Sequence, residues 1–269
     1  MNYSKYRVKP GSKVRLKDWD PGDKSAVPAS KEERLARLSV LSEEINKQQD
    51  LLYAAHEEGV LIVLQGMDTA GKDGTIRHVF RAVDPLGVRA VPFKVPTPEE
   101  AAHDFLWRVH HQVPGQGEMV IFNRSHYEDV LVVPVHGLIT PAATKQRYER
   151  IAAFERLLSE HATLVLKFFL YISKDEQRKR LQERIDVPEK RWKFNPTDLE
   201  ERTLWKQYMR AYERALQATS TDWAPWYVIP ADSKTTRDLL ISEILIDQLK
   251  ALKLSYPRPK VKLTGIVVE

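Results

Sequence analysis

A short apolar run, Val60-Leu61-Ile62-Val63-Leu64-Gln65, leads into Gly66-Met67-Asp68-Thr69-Ala70-Gly71-Lys72-Asp73-Gly74, and helical patterning resumes at Thr75. A continuous apolar run bounded by glycines suits a strand buried on both faces. The residues after it match G-x-x-x-x-G-K, the phosphate-binding loop, in the strand-to-helix position that the motif requires. The glycines let backbone N–H groups turn toward one anion, and the helix behind presents its positive end. Lys72 adds a charge that can follow a phosphoryl group in motion. Ala70, Gly71, Lys72, Asp73 and Gly74 are therefore the expected anion-binding residues. Asp73 stands where such loops carry Ser or Thr, so the hydroxyl that normally binds Mg²⁺ is missing. Asp68, inside the loop, is the candidate substitute, either as a metal ligand or as a base activating the acceptor.

The rest of the chain repeats the alternation. Apolar runs at Val88–Phe93, Met119–Phe122, Thr163–Ile172 and Trp226–Ile229 read as strands. Between them, Pro98–His111, Pro141–His161, Asp175–Ile185, Leu199–Thr219 and Ser233–Leu252 carry helical patterning, as does Gly74–Val83. A capping box at Ser30-Lys31-Glu32-Glu33 opens a further helix, predicted to run to about Glu58. Strands alternating with helices predict an α/β fold, a parallel sheet flanked by helices. The expected organisation is a surface arm over residues 1–29, one α/β domain over 30–255 with a helical lid at about 178–200, and a tail over 256–269. In such a sheet, ligands collect at the carboxyl ends of the strands. Asn123 and Arg124, at the end of the third strand, should therefore face the same crevice as the loop. Arg124 would offer a planar charged donor to a phosphoryl group.

Composition narrows the chemistry. The chain of 269 residues has no cysteine, which excludes disulfides, thiol nucleophiles and cysteine-ligated metals. No apolar stretch approaches the roughly 20 residues of a membrane helix, and Met1–Lys17 lacks the apolar core of a secretory signal. A soluble cytoplasmic protein without a membrane partner is expected. Lys and Arg number 42 against 37 Asp and Glu, a net charge of +5. The excess is concentrated at the N terminus, between Arg178 and Lys193, and in the tail, which suits either solvated faces or an anionic partner. Of the histidines, only His126 falls in the crevice segment, and none shows metal-ligand spacing. Trp192, Trp205, Tyr208 and Tyr212 could stack on a base or belong to the core.

Taken together, several segments resemble the polyphosphate kinase 2 family over roughly Ser30–Leu252. They are the loop Gly66–Gly74, Phe93-Lys94-Val95-Pro96-Thr97-Pro98-Glu99-Glu100, Phe105-Leu106-Trp107-Arg108, Phe122-Asn123-Arg124-Ser125-His126-Tyr127-Glu128, Lys190-Arg191-Trp192-Lys193-Phe194 and Ile229-Pro230-Ala231-Asp232-Ser233-Lys234. The resemblance implies a P-loop kinase fold like that of thymidylate kinases, with a mobile lid. It implies phosphoryl transfer between inorganic polyphosphate and AMP, ADP or ATP, reversible and dependent on Mg²⁺, with Mn²⁺ as a substitute and guanine nucleotides as further acceptors. Asp68, Lys72, Arg124 and Arg184 match its catalytic positions, with Asp68 as metal ligand. The loop, Arg124, Arg178, Arg184 and Arg191 would hold the donor, and Asp68, Arg77, Lys94, Arg108, Asn123, Tyr127 and Glu128 the nucleotide. Asn123 departs from the family's usual aspartate and resembles the class III subgroup, which accepts both mono- and diphosphates. A homo-oligomer, tetramer or dimer, is implied, and no specific nucleic acid. Two rivals share part of the pattern: an ATP-dependent nucleoside-monophosphate kinase, and a non-catalytic polyanion-binding module.

Overall fold

Five parallel strands form one sheet in the order β2-β3-β1-β4-β5: β1 Gly59–Gln65, β2 Val88–Pro92, β3 Met119–Asn123, β4 Thr163–Tyr171 and β5 Trp226–Pro230. The computed structural model describes residues 3–264 and 266–268. Every residue of β1 is buried, as expected of a strand paired on both edges and covered on both faces. Register places Leu64 opposite both Asn123 and Phe168, so the loop after β1 and the residues after β3 leave the sheet side by side.

Helices α1 (Lys31–Ala55), α2 (Lys72–Val79) and α10 (Lys234–Ala251) pack on one another and against one face. The Ser30 side chain accepts from the Glu33 N–H, the N-cap half of the expected box. The segment 98–111, expected as one helix, forms α3 (Pro98–Ala102) and α4 (Trp107–His110). The Asp104 carboxylate accepts from the Leu106 N–H at 2.9 Å, a local bond that competes with helix continuation. A short α5 (Val132–Val135), which no periodicity announced, precedes α6 (Pro141–Glu160). Helix α7 (Lys174–Asp186) follows β4 and leads into a 3₁₀ turn, Pro188–Lys193. The expected helix over 199–219 is divided into α8 (Thr197–Thr203) and α9 (Trp205–Thr219). There the Thr203 hydroxyl bonds back to the Glu200 carbonyl at 2.7 Å. Helices α6 and α9 pack together, and α6 covers β4.

The first residues correct an expectation. Instead of lying on the surface, the segment read as an arm sends Tyr6, Val8, Val14 and Leu16 into the core. Val8 N–H donates to the Trp226 carbonyl at 2.9 Å, and Arg7 forms an antiparallel bridge with Tyr227. The segment thereby covers the free edge of β5, whose unpaired backbone groups would otherwise face solvent. Residues 1 and 2 of that arm, and 265 and 269 of the tail, lie outside the described residues. Among the described residues, no helix is long and apolar enough to cross a membrane.

Candidate active site

The loop between β1 and α2 is shaped by close approach. A Cβ on Gly66 would stand 2.8 Å from the Leu170 carbonyl. Gly71 has φ +106, and its Cβ would meet the Arg237 guanidinium at 1.8 Å. Only glycine meets both demands at position 71. Helix α2 starts at Lys72, two residues earlier than its pattern suggested, with Gly71 as N-cap. Lys72 is buried and donates from Nζ to the Gly66 carbonyl at 2.7 Å. Burial, reinforced by the charge of Arg124, pulls its pKa down to about 8, while Asp68, Glu128 and Asp73 act in the opposite direction.

Arg124 leaves β3 with φ +63, its N–H bonded to the Leu64 carbonyl at 3.1 Å. This backbone turns the guanidinium over the loop. Nη2 donates to Asp68 Oδ1 at 2.6 Å and Nη1 to Glu128 Oε2 at 3.2 Å. Asn123 donates its amide to Asp73 Oδ1 at 2.6 Å.

Two clefts open from this point. The first, about 450 Å³, runs over the loop and is lined mainly by cations, Lys72, Arg77, Lys94, Arg124, Arg184, Lys190, Lys193 and Lys234 among them, with Asp68, Asp73 and Glu183 also present. The second, about 650 Å³, is lined by Gly66, Arg108 and Glu128, by Val132, Val133, Leu138, Tyr208 and Tyr212, and by the carboxylates Asp129, Asp198 and Glu201. Asp68, Phe93, Lys94 and Arg124 line both. A charged groove suits a polyanion; a mixed apolar and polar cleft that includes Lys94, Arg108 and Arg124 suits a small phosphorylated molecule.

Most expected site residues come together here, though not always on the expected side. Asn123 and Arg77 lie in the cationic cleft, not the second one. Arg178 and Arg191 line neither cleft; Arg178 is exposed, and Arg191 donates to the Ile185 carbonyl at 2.9 Å. Arg178 is turned away because the face of α7 toward the groove carries Arg180 and Arg184, four residues apart, whereas Arg191 lies beyond α7 in the 3₁₀ turn.

Tyr127 is a clearer correction. It is fully buried, and its hydroxyl donates to Glu155 Oε1 at 2.8 Å, with Thr219 Oγ1 2.9 Å away. Lys167 Nζ completes the cluster, 2.5 Å from Glu155 Oε2. His126 is buried in the same cluster and meets no crevice. Ser125, His126 and Tyr127 thus anchor the turn from behind, while Arg124 and Glu128 on either side face the clefts.

Several lining residues escaped the sequence reading. Arg180 lies one turn before Arg184 on the same face of α7, a spacing that could have revealed it. Lys190, Lys193 and Lys234 belong to segments that carry the family resemblance, and only the fold brings them to the first cleft. Arg237 had no local signal, because it reaches the loop from α10, far along the chain. Tyr208 and Tyr212 are buried yet wall the second cleft, and Tyr208 donates to Glu201. Trp192 is exposed and lines neither cleft.

Comparison with known proteins adds independent findings. A family model described as Polyphosphate kinase 2 (PPK2) matches residues 28–257. An AMP/ADP-polyphosphate phosphotransferase of Meiothermus ruber is 55% identical over 265 residues, covering 98% of this chain and 99% of that protein. An ADP-polyphosphate phosphotransferase of Rhodopseudomonas palustris is 43% identical, covering 94% of this chain and 91% of that one. The crystal structure of a polyphosphate kinase 2 from Arthrobacter aurescens TC1 superposes with a TM-score of 0.93 at 41% identity, covering 96% of this chain and 92% of that chain.

Proposed function

The chain belongs to the polyphosphate kinase 2 family, and from that premise we propose that it transfers the terminal phosphoryl group of inorganic polyphosphate to AMP and to ADP. The observation that carries this reading is the pair of unlike clefts meeting at Arg124 and Asp68. Polyphosphate carries about one charge per phosphate and little other shape, so a groove of lysines and arginines answers its chemistry. The donor chain lies in the cationic cleft with its end unit over the loop, against Lys72 and Arg124. The nucleotide lies in the second cleft, its phosphate near Arg108, Lys94 and Arg124 and its base toward Val132, Leu138 and Tyr208.

An acceptor phosphate oxygen attacks the terminal phosphorus from the side opposite the leaving chain. One P–O bond forms as the other breaks, and the shortened polyphosphate departs as an anion. The attacking oxygen is already charged, so no strong base is needed; positioning and charge neutralisation supply the rate. Arg124 touches both compartments and can neutralise charge on the group in flight. Exchange of one phosphoanhydride for another makes the reaction reversible. Closure of the segment bearing Arg184, Lys190 and Lys193 over the groove would exclude water as a competing acceptor.

The donor set fits a hard divalent cation. Among the described residues no group of three or more His, Cys, Asp or Glu is arranged to hold a metal by protein ligands alone. The loop instead offers the Asp68 carboxylate, with Asp73 and the Asn123 amide close to one another. One or two carboxylates completed by phosphates and water is the usual manner of Mg²⁺. Bound there, Mg²⁺ would offset phosphate charge and bring donor and acceptor oxygens together.

An ATP-dependent monophosphate kinase would need a base slot beside the loop. The first cleft offers Pro92 and Phe93 among its many cations. Purified protein is given AMP and Mg²⁺ with either polyphosphate or GTP as donor. ADP formed from polyphosphate is the expected result; ADP formed only from GTP would overturn the reading, and binding of polyphosphate without turnover would favour a polyanion-binding module.

A further inference from the structure

Helix α7 meets the phosphate loop through two buried side chains that the transfer described above does not use. Gln177 donates from Nε2 to the Asp68 carbonyl at 3.2 Å. Arg180 donates from Nε to Glu176 Oε1 at 2.8 Å. Its Nη1 reaches the carbonyls of Thr69 at 3.0 Å and Ala70 at 3.3 Å. Its Nη2 reaches those of Ala231 at 2.7 Å and Asp232 at 2.9 Å. A guanidinium has five N–H donors. Each has an acceptor here, so none is left for a phosphate oxygen, although Arg180 lines the cationic cleft.

The residue that Arg180 grips is strained. Thr69 has φ +65, a region a β-branched residue enters only when its surroundings force it. Among the described residues its buried side-chain hydroxyl has no partner, so the side chain itself does not secure the conformation. The bonds that do run to its own carbonyl and to the carbonyls on either side, from Gln177 and Arg180, with Arg237 Nη1 sharing the Ala70 carbonyl at 3.0 Å. Turned toward α7, these carbonyls set the orientation of the peptides that lead into the N terminus of α2, where free N–H groups await an anion.

We propose that Arg180, assisted by Gln177, is a positioning residue for the phosphoryl transfer. It holds the strained Thr69 peptide so that the loop amides converge on the donor phosphate, and it does not bind the donor chain itself. The inference rests on the phosphotransferase reading above. Because α7 also carries Arg184, the loop and the basic segment opposite it are held by one helix.

The test is a double-mutant cycle between Arg180→Lys and Thr69→Gly, with polyphosphate and AMP as substrates. Lysine keeps the charge but cannot fill the fork, and glycine accepts positive φ without strain. Arg180→Lys is expected to lower kcat about 30-fold, with KM for polyphosphate within about twofold and the salt dependence of kcat/KM unchanged. In the Thr69→Gly background the same change should cost less than about fivefold. Equal losses in both backgrounds, or a raised KM with a flatter salt dependence, would overturn the inference. Should Arg180→Lys not fold, Gln177→Met decides in its place: a kcat loss of about threefold that disappears in Thr69→Gly supports the proposal, and an equal loss in both backgrounds overturns it. A wild-type protein without turnover would overturn the phosphotransferase reading and this inference together, whereas normal wild-type turnover with equal losses overturns the inference alone.

Discussion

Arg124 donates to the Asp68 carboxylate at 2.6 Å, and the contact lies where the cationic groove and the mixed cleft share a wall. The same guanidinium reaches Glu128 at 3.2 Å, so one side chain ties the phosphate loop to the turn after β3. Arg124→Ala removes a cation that lines both compartments and bridges the Asp68 and Glu128 carboxylates. Its kcat should fall about 100- to 1,000-fold, the usual cost of losing a preorganised transition-state donor. Initial rates of ADP formation measure this. A change confined to KM would mean that Arg124 only holds ground-state phosphates.

Lys72 predicts a pH profile. A protonated Lys72 grips an anion and a neutral one does not. Burial has drawn its pKa down to about 8, so the free enzyme begins to lose that charge within the ordinary assay range. With polyphosphate as varied substrate, kcat/KM should be level below the pKa and fall about tenfold per pH unit above it. Bound phosphate stabilises the ammonium, so kcat should fall at higher pH than kcat/KM does. A kcat/KM profile that stays level to pH 10 would contradict this assignment.

Asn123 bears on the metal. Its amide donates to Asp73, and it lines the cationic cleft and not the second one. Asn123→Asp replaces that bond with two facing carboxylates, which attract a cation and repel a polyanion. The half-saturating Mg²⁺ concentration should drop by about 3- to 10-fold, and KM for polyphosphate should rise at low Mg²⁺. The ratio of AMP to ADP rates should stay within about twofold, because Asn123 does not line the second cleft, where the nucleotide is proposed to lie. A large shift in that ratio would instead assign Asn123 to acceptor choice.

The buried pair Lys167 and Glu155 predicts a stability pattern. Both side chains are fully buried, and Tyr127 shares their bonds. Lys167→Met leaves a carboxylate without its countercharge and should cost about 3–5 kcal/mol of unfolding free energy in denaturant titration. The double variant Lys167→Met/Glu155→Leu should recover most of that loss, since apolar replacements avoid the desolvation penalty. Additive losses would refute the pairing.

Periodicity and turn chemistry made the strands legible to within a residue or two, because each strand of a parallel sheet is an apolar run bounded by breakers. The loop was legible for the same local reason. What stayed hidden depends on distant partners. Tyr127 stands in a crevice motif, yet Glu155 and Thr219 draw its hydroxyl into the core. Arg237 reaches the loop from α10, and nothing near position 237 announces Ala70 as its partner. The first residues were misread as a surface arm because their many charges obscured a period of two, with Tyr6 and Val8 pointing inward between Lys5, Arg7 and Lys9.

The central claim is that donor and acceptor occupy different clefts and meet at Arg124 and Asp68. A crystal structure with AMP and a non-hydrolysable polyphosphate analogue tests it most directly. The expected density shows the inorganic chain along Lys72, Arg184 and Lys193, and the AMP phosphate beside Arg108 and Arg124. A chain bound away from Lys72, or nucleotide and polymer competing for one cleft, would contradict it.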